Sequence, residues 1–209
     1  LDSVTNAVTT LAATSGGASD GTIVYRDSNA LTVGTVAAAG ITRTGDVTLN
    51  VNSSDLTLSA NVGIGGKALR LQSQAGNVDQ TAGVITAGSL GVKASGDITL
   101  GVSTNLLAAG GSFAAKSTTG KIDFKNNAGY KVDTMAADPV VAALFTATDG
   151  IDATAVGKNV TLNTLSGTVT QTGGKDSKTN GLELQGSAAY TLDSVTNAVT
   201  TLAATSGGA

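Results

Sequence analysis

Three glycines, Gly66, Gly88 and Gly110, fall 22 residues apart. Each is followed within three positions by a short run of alternating residues: ALRLQ at 68–72, LGVKA at 90–94 and FAAKS at 113–117. A second turn-and-strand unit recurs between them, at Gly76-Asn77-Val78-Asp79, Gly96-Asp97-Ile98-Thr99-Leu100 and Gly120-Lys121-Ile122-Asp123-Phe124. Further copies are DVTLNV at 46–51, DLTLSA at 55–60, NVTLNTL at 159–165 and LELQG at 182–186. Alternation of period two sends every second side chain to one face of a strand. Val47, Leu49 and Val51 are therefore expected to enter a core while Thr48 and Asn50 face solvent. Short strands at a steady interval, separated by glycine corners, predict an all-β chain wound as a β-solenoid (a parallel β-helix) with turns of about 22 residues. Glycine suits such corners because left-handed or strained backbone angles cost little without a Cβ. Tandem β-sandwich domains are the alternative, since their hairpins also give alternation and glycine turns.

Composition agrees with a narrow core. Aromatic residues make up only 3% of the chain while hydrophobic residues make up 41%, so the buried side chains must be small and aliphatic. That apolar fraction is enough for burial to offset the entropy of ordering the chain.

A longer repeat lies over the short one. Residues 192–209, LDSVTNAVTTLAATSGGA, match residues 1–18 letter for letter, which sets a period of 191 residues (192 minus 1). The expected organisation is one full tandem unit over 1–191 and the start of the next over 192–209, with further copies in the parent chain. The β-branched residues of 192–204 favour strand there. Neighbouring copies of the same repeat, stacked end to end, are the expected partners.

The rhythm breaks between Asn126 and Gly157. Asp138-Pro139 before Val140-Val141-Ala142-Ala143-Leu144-Phe145 is a good helix start, so a short helix is expected at about 139–145 inside a loop excursion. Such an excursion either covers the side of the core or projects as a contact loop, in which case Lys131, Asp133, Asp138 and Phe145 are its candidate contact residues.

The chain has no His and no Cys, which removes nucleophilic triads and most metal sites. Carboxylate chemistry of the kind β-helix polysaccharide lyases and hydrolases use would draw on Asp133, Asp138, Asp149 and Asp152 with Lys131. Carboxylates at turns more often cap backbone groups, and no enzymatic activity and no cofactor are expected. Neither the glycine-aspartate nonapeptide nor the DxDxDG loop of calcium-binding repeats occurs, leaving Asp149 and Asp152 as weak calcium candidates. Asn50, Asn52, Gln72, Gln74, Asn126 and Asn127 are candidates for amide ladders between turns. Tyr25, Tyr130 and Tyr190 would form a sugar platform only if stacking brought them onto one face. Asn52-Ser53-Ser54 and Asn159-Val160-Thr161 match the glycosylation triplet. The net charge is −3 with both signs scattered, which offers nucleic acid no basic patch. No apolar run reaches the length of a membrane span, and residues 1–18 lack the basic start of a signal peptide.

The run LRLQSQAGNVDQTAGVITAGSLGVKASGDITL at 69–100, followed by LLAAGGSFAAKSTTGKIDF, resembles the repeats of filamentous haemagglutinin-type exoproteins of Gram-negative bacteria. The likeness covers most of 21–124, returns at 158–186 and is poor over 126–157. It implies a right-handed parallel β-helix at the cell surface or outside the cell, export through an outer-membrane partner, and a role in adhesion, aggregation or biofilm. The expected function is that of a structural shaft or adhesive segment in a long surface fibre protein. A ligand- or glycan-binding module using 126–157 to engage a surface glycan or protein is the alternative.

Overall fold

A computed structural model describes residues 1–15, 17 and 20–206, the last without its side chain. Residues 207–209, which end the recurring segment, lie outside the described residues. The chain winds into about nine turns, and 22 of its strands join in one sheet system whose pairings are parallel. A typical turn consists of Val47–Val51, Leu56–Leu58 and Val62–Gly63, with Ala68–Ser73, Val78–Gln80 and Ile85–Ala87 stacked on it. Parallel strands bond only to chain that returns after a full turn, so the wrapping and the pairing are one event.

Register carries like onto like. Leu56, Val78, Ile98, Ile122, Val160 and Leu182 follow one another in successive turns and are all buried. Leu49, Leu71, Val92 and Ala115 form a second such column. The core is aliphatic except at Tyr25 and at one further level, where Phe113 and Phe124 stack with centroids 4.1 Å apart and Tyr130 meets them edge-on at 5.7 and 5.4 Å. Rings fit there because they fill the same narrow space as a group.

Glycines sit where expected, for reasons that differ along the chain. Leu69, Leu90 and Phe113 share a register position, so the steps between turns are 21 and 23 residues around the mean of 22. Gly88 stacks on Gly66 and Gly111 stacks on Gly88, each so close that a Cβ would overlap the carbonyl below. Gly110 is instead the left-handed residue just before that column, with φ 71°. Gly76, Gly96 and Gly120 also mark close approach: a Cβ would overlap Asp55 and Ser54, Asn77, and the Gly96–Asp97 backbone respectively. Gly110 alone among the six needs a positive φ.

Amide ladders form, with mostly different members. Gln80 and Asn105 exchange bonds at 2.8 and 3.1 Å inside a buried corner, and Gln171 and Asn197 do the same at 2.8 and 3.0 Å. Of the amides expected from sequence, Gln74 donates to Asn50 at 3.1 Å, and buried Asn126 accepts from the Leu107 amide at 3.1 Å.

Close stacking sets a sharp contrast between two glycines of one column. Gly88→Ala should cost about 1–3 kcal/mol, the range for forcing atoms into packed space. Gly66→Ala has open space, and no left-handed φ, so it should be neutral or stabilise by up to about 1 kcal/mol. Urea unfolding midpoints of the two variants measure the difference.

Candidate functional site

The segment that breaks the sequence rhythm is an insertion within one rung. Val132 pairs with Phe113 and Ile151 with Ala115, so the two ends of residues 133–150 leave and rejoin nearly the same strand position. Thr134–Met135 and Thr148–Asp149 close its base as an antiparallel pair, and the Gly150 amide donates to the Asp133 carbonyl at 2.9 Å. Between them the chain forms a strap that lies back across the outer face of earlier turns.

Its seat is a column of outward positions, Thr48, Arg70, Gly91 and Ala114, aligned by register in four successive turns. Met135 and Phe145 pack on Ala114 and against Gly91, where a Cβ would overlap both of them. Arg70 Nε donates to the Ala136 carbonyl at 3.0 Å, and its guanidinium pairs with Asp46 at 3.2 Å. Asn50 Nδ2 donates to the Leu144 carbonyl at 2.8 Å, and the Thr48 hydroxyl donates to Asp138. Thr48 and Asn50, expected in solvent, are therefore completely buried. The alternation rule holds for direction, but a second layer of chain covers the outward face here.

A helix over 139–145 does not form; only the 3-10 turn Ala142–Leu144 does. Asp138 Oδ1 accepts the amides of Val140 and Val141 at 2.9 and 2.7 Å, as an N-cap carboxylate would. The Leu144 and Phe145 carbonyls, however, are taken by Asn50 and by the Asp138 amide, and Phe145 is extended. Docking holds Phe145 in extended backbone, outside helical geometry, and so ends the segment after the one 3-10 turn. Asp138 and Phe145, expected as contact residues, face inward and hold the strap down; Lys131 is exposed on the strand that enters the strap, and Asp133 caps the Thr134 amide at 2.8 Å.

Beside the strap's returning limb lies an open groove of about 680 Å³. Gln72, Gln74, Lys93, Lys116, Asp149 and Asp152 line it, so of the candidate residues only Asp149 and Asp152 are brought to this place. Neither carboxylate is free. Asp152 pairs with Lys116 at 3.0 Å and Asp149 with Lys175 at 3.2 Å. The Thr134 hydroxyl first and Lys175 second hold the Asp149 carboxyl below the usual range. No group of three potential metal ligands occurs among the described residues.

Lys93 donates to the Thr146 hydroxyl at 2.6 Å and lies 5.6 Å from the Phe145 ring centroid. Burial first, and the neighbouring Lys116 ammonium second, lower its proton affinity. Gln72, Lys93 and Lys116 form one register column, which sequence reasoning did not single out. The signal was present, because both lysines take the fourth place of their strands in LGVKA and FAAKS.

The tyrosines form no exposed platform: Tyr25 and Tyr130 are buried, and the Tyr190 hydroxyl donates to the Leu162 and Gln185 carbonyls at 2.9 and 2.7 Å. On another face Asp79, Thr99, Asp123, Thr161 and Glu183 alternate in one column. Burial pushes the Asp79 and Asp123 carboxyls up from the ordinary range.

Gly91→Val should release the strap and leave the solenoid wound. Met135, the one methionine of the chain, reports this: it is 3% exposed when docked, so its oxidation by peroxide should accelerate at least tenfold while the far-ultraviolet β signal stays unchanged. Comparison of the chain with protein-family models, with curated proteins and with solved structures returned no match.

Proposed function

We propose that this chain is a non-enzymatic shaft segment of a long bacterial cell-surface or extracellular fibre protein that serves adhesion, aggregation or biofilm formation. One observation carries the reading: successive turns pair in parallel along the described chain, with a register irregularity between Leu100 and Asn105, and the sequence period spans a whole number of turns. Pairings lead from Leu202 to Leu182, Val160, Ile122, Ile98, Val78, Leu56 and Leu31, which is seven steps, and one more reaches the turn of residues 10–11. The period therefore holds eight turns. Setting aside the 18 residues of 133–150 leaves 173 of 191, or about 22 per turn. At about 4.8 Å between strands, one period extends a rod by about 38 Å. A repeat that adds length without altering cross-section is suited to carrying something away from a surface.

The surface location, export through an outer-membrane partner and kinship with filamentous haemagglutinin-type exoproteins rest on the sequence likeness over 21–124 and 158–186. Chains of one to four periods, anchored by one end and tagged at the other, should place the tag farther out by about 38 Å per period in electron micrographs. A tip distance independent of period number would refute the shaft reading.

A second reading, a glycan-binding face beside the strap, is favoured by the groove that presents Lys93 without a carboxylate partner among the described ion pairs. A Lys93→Ala/Lys116→Ala chain should then lose at least tenfold in retention on an immobilised acidic polysaccharide, with its β signal intact. Equal retention would remove that reading.

A further inference from the structure

We propose that the open edge of Ala198–Ser206 is a docking edge for residues 23–42 of a second copy of the period, in the register that residues 9–15 already use at the other end of the chain. The proposal rests on the shaft reading and specifies the joint between periods.

The recurring segment is seen twice, each time with one of its two neighbours. Its turn is the same at both ends, while the strand that follows is broken into Thr10–Leu11 and Ala13–Thr14 in the first copy and continuous over Ala198–Ser206 in the second. Asn6 Nδ2 donates to the Leu1 carbonyl at 3.2 Å and Asn197 Nδ2 to the Leu192 carbonyl at 3.1 Å; the Asn6 and Asn197 amides donate to Ser3 and Ser194. The Ser3–Thr5 hydroxyl pair recurs as Ser194–Thr196. Their neighbours are complementary. Thr201, Leu202, Ala203, Ala204 and Thr205 pair with Gly181 through Gln185 on one side. The same residues in the first copy, Thr10, Leu11, Ala13 and Thr14, pair with Thr32, Val33, Ile41 and Thr42 on the other.

The two sets of bonds use opposite edges, because alternate residues of a parallel strand bond to opposite neighbours. In the first copy the Thr9 and Leu11 carbonyls accept from Thr32 and Gly34, and the Ala13 and Ser15 amides donate to Gly40 and Thr42. Adding 191 names the matching groups at the other end: the Thr200 and Leu202 carbonyls and the Ala204 and Ser206 amides.

Side chains agree with the backbone. Leu1 is 86% exposed, whereas its counterpart Leu192, with a turn beneath it, packs on the core. Leu202 is 64% exposed, whereas its counterpart Leu11, with a turn above it, packs on the core. An apolar recess of about 430 Å³ lies at this end, lined by Leu182, Leu184, Tyr190, Val199 and Leu202. Val33 and Ile41, fully buried over Leu11 and Ala13, are what the second copy would set above Leu202 and Ala204. Inward columns then run on without a break through Leu182, Leu202 and Val33, and through Leu184, Ala204 and Ile41.

The chain has no cysteine, so introduced pairs read register directly. In a chain of residues 1–191 followed by 1–209, Thr205→Cys and the second period's Thr42→Cys should close a disulfide under mild oxidation. Thr205 is Thr14 of the second period, so the positive control is the same pairing in the first period, Thr14→Cys with Thr42→Cys in the 209-residue chain, where the segment is seen without a preceding turn. Closure of the control but not of the junction pair overturns the proposal. So does closure of Ala203→Cys with the second period's Thr42→Cys in its place, which would mean a slipped joint. A chain that lengthens with period number yet fails to close the junction pair retains the shaft and loses this joint, so the two readings fail separately.

Discussion

Every turn of this protein is held by backbone hydrogen bonds to the turn before and the turn after, and no disulfide supplements them. Turns lie one strand spacing apart, so whatever occupies a given position recurs about 4.8 Å away in the next turn. That spacing dictates side-chain size more strictly than hydrophobicity does. The aliphatic columns obey it, and Gly88 and Gly111 obey it by having no side chain where each stacks on the carbonyl of the glycine below, while the ring cluster of Phe113, Phe124 and Tyr130 fills the space within a single turn. A turn in isolation would bury little, so stability is a property of neighbours.

Stacking creates surfaces no single strand has, and the strap uses one. Thr48, Arg70, Gly91 and Ala114 come from four turns, and together they make a shallow floor with small residues where Met135 and Phe145 rest and hydrogen-bonding residues in the two turns before them. The strap's own sequence favours a helix start at Asp138-Pro139, and Asp138 does accept the Val140 and Val141 amides, but the segment makes one 3-10 turn before Phe145 runs extended onto this floor. The outcome is a second layer that gives the solenoid one covered flank and, along the strap's margin, the groove of Lys93 and Lys116.

What could be read from the sequence follows from the range of each interaction. Inward positions such as Val47, Leu49 and Val51 were legible because alternation is local, and the 22-residue interval was legible because glycine marks it. Burial of Thr48 and Asn50 was not, because it depends on a segment 90 residues away folding back over them. The glycine spacing also misled by one place: Gly110 keeps the interval, while Gly111 occupies the column, since the turn between 88 and 111 carries one more residue. Lys93 and Lys116 became a pair only when their strands were aligned by register. Asp149 and Asp152 were found by proximity in sequence and do share a groove, where Asp152 pairs with Lys116 and Asp149 with Lys175 beyond its edge.

The same range argument explains how an 18-residue insertion can sit in a repeat without spoiling its length. The strap leaves and re-enters one rung, Val132 and Ile151 facing Phe113 and Ala115, so it adds mass sideways and nothing along the axis. Rise is counted in rungs, and the period has eight whether or not residues 133–150 are included. In the proposed shaft, added periods would therefore lengthen the rod while the strap adds mass only to its side.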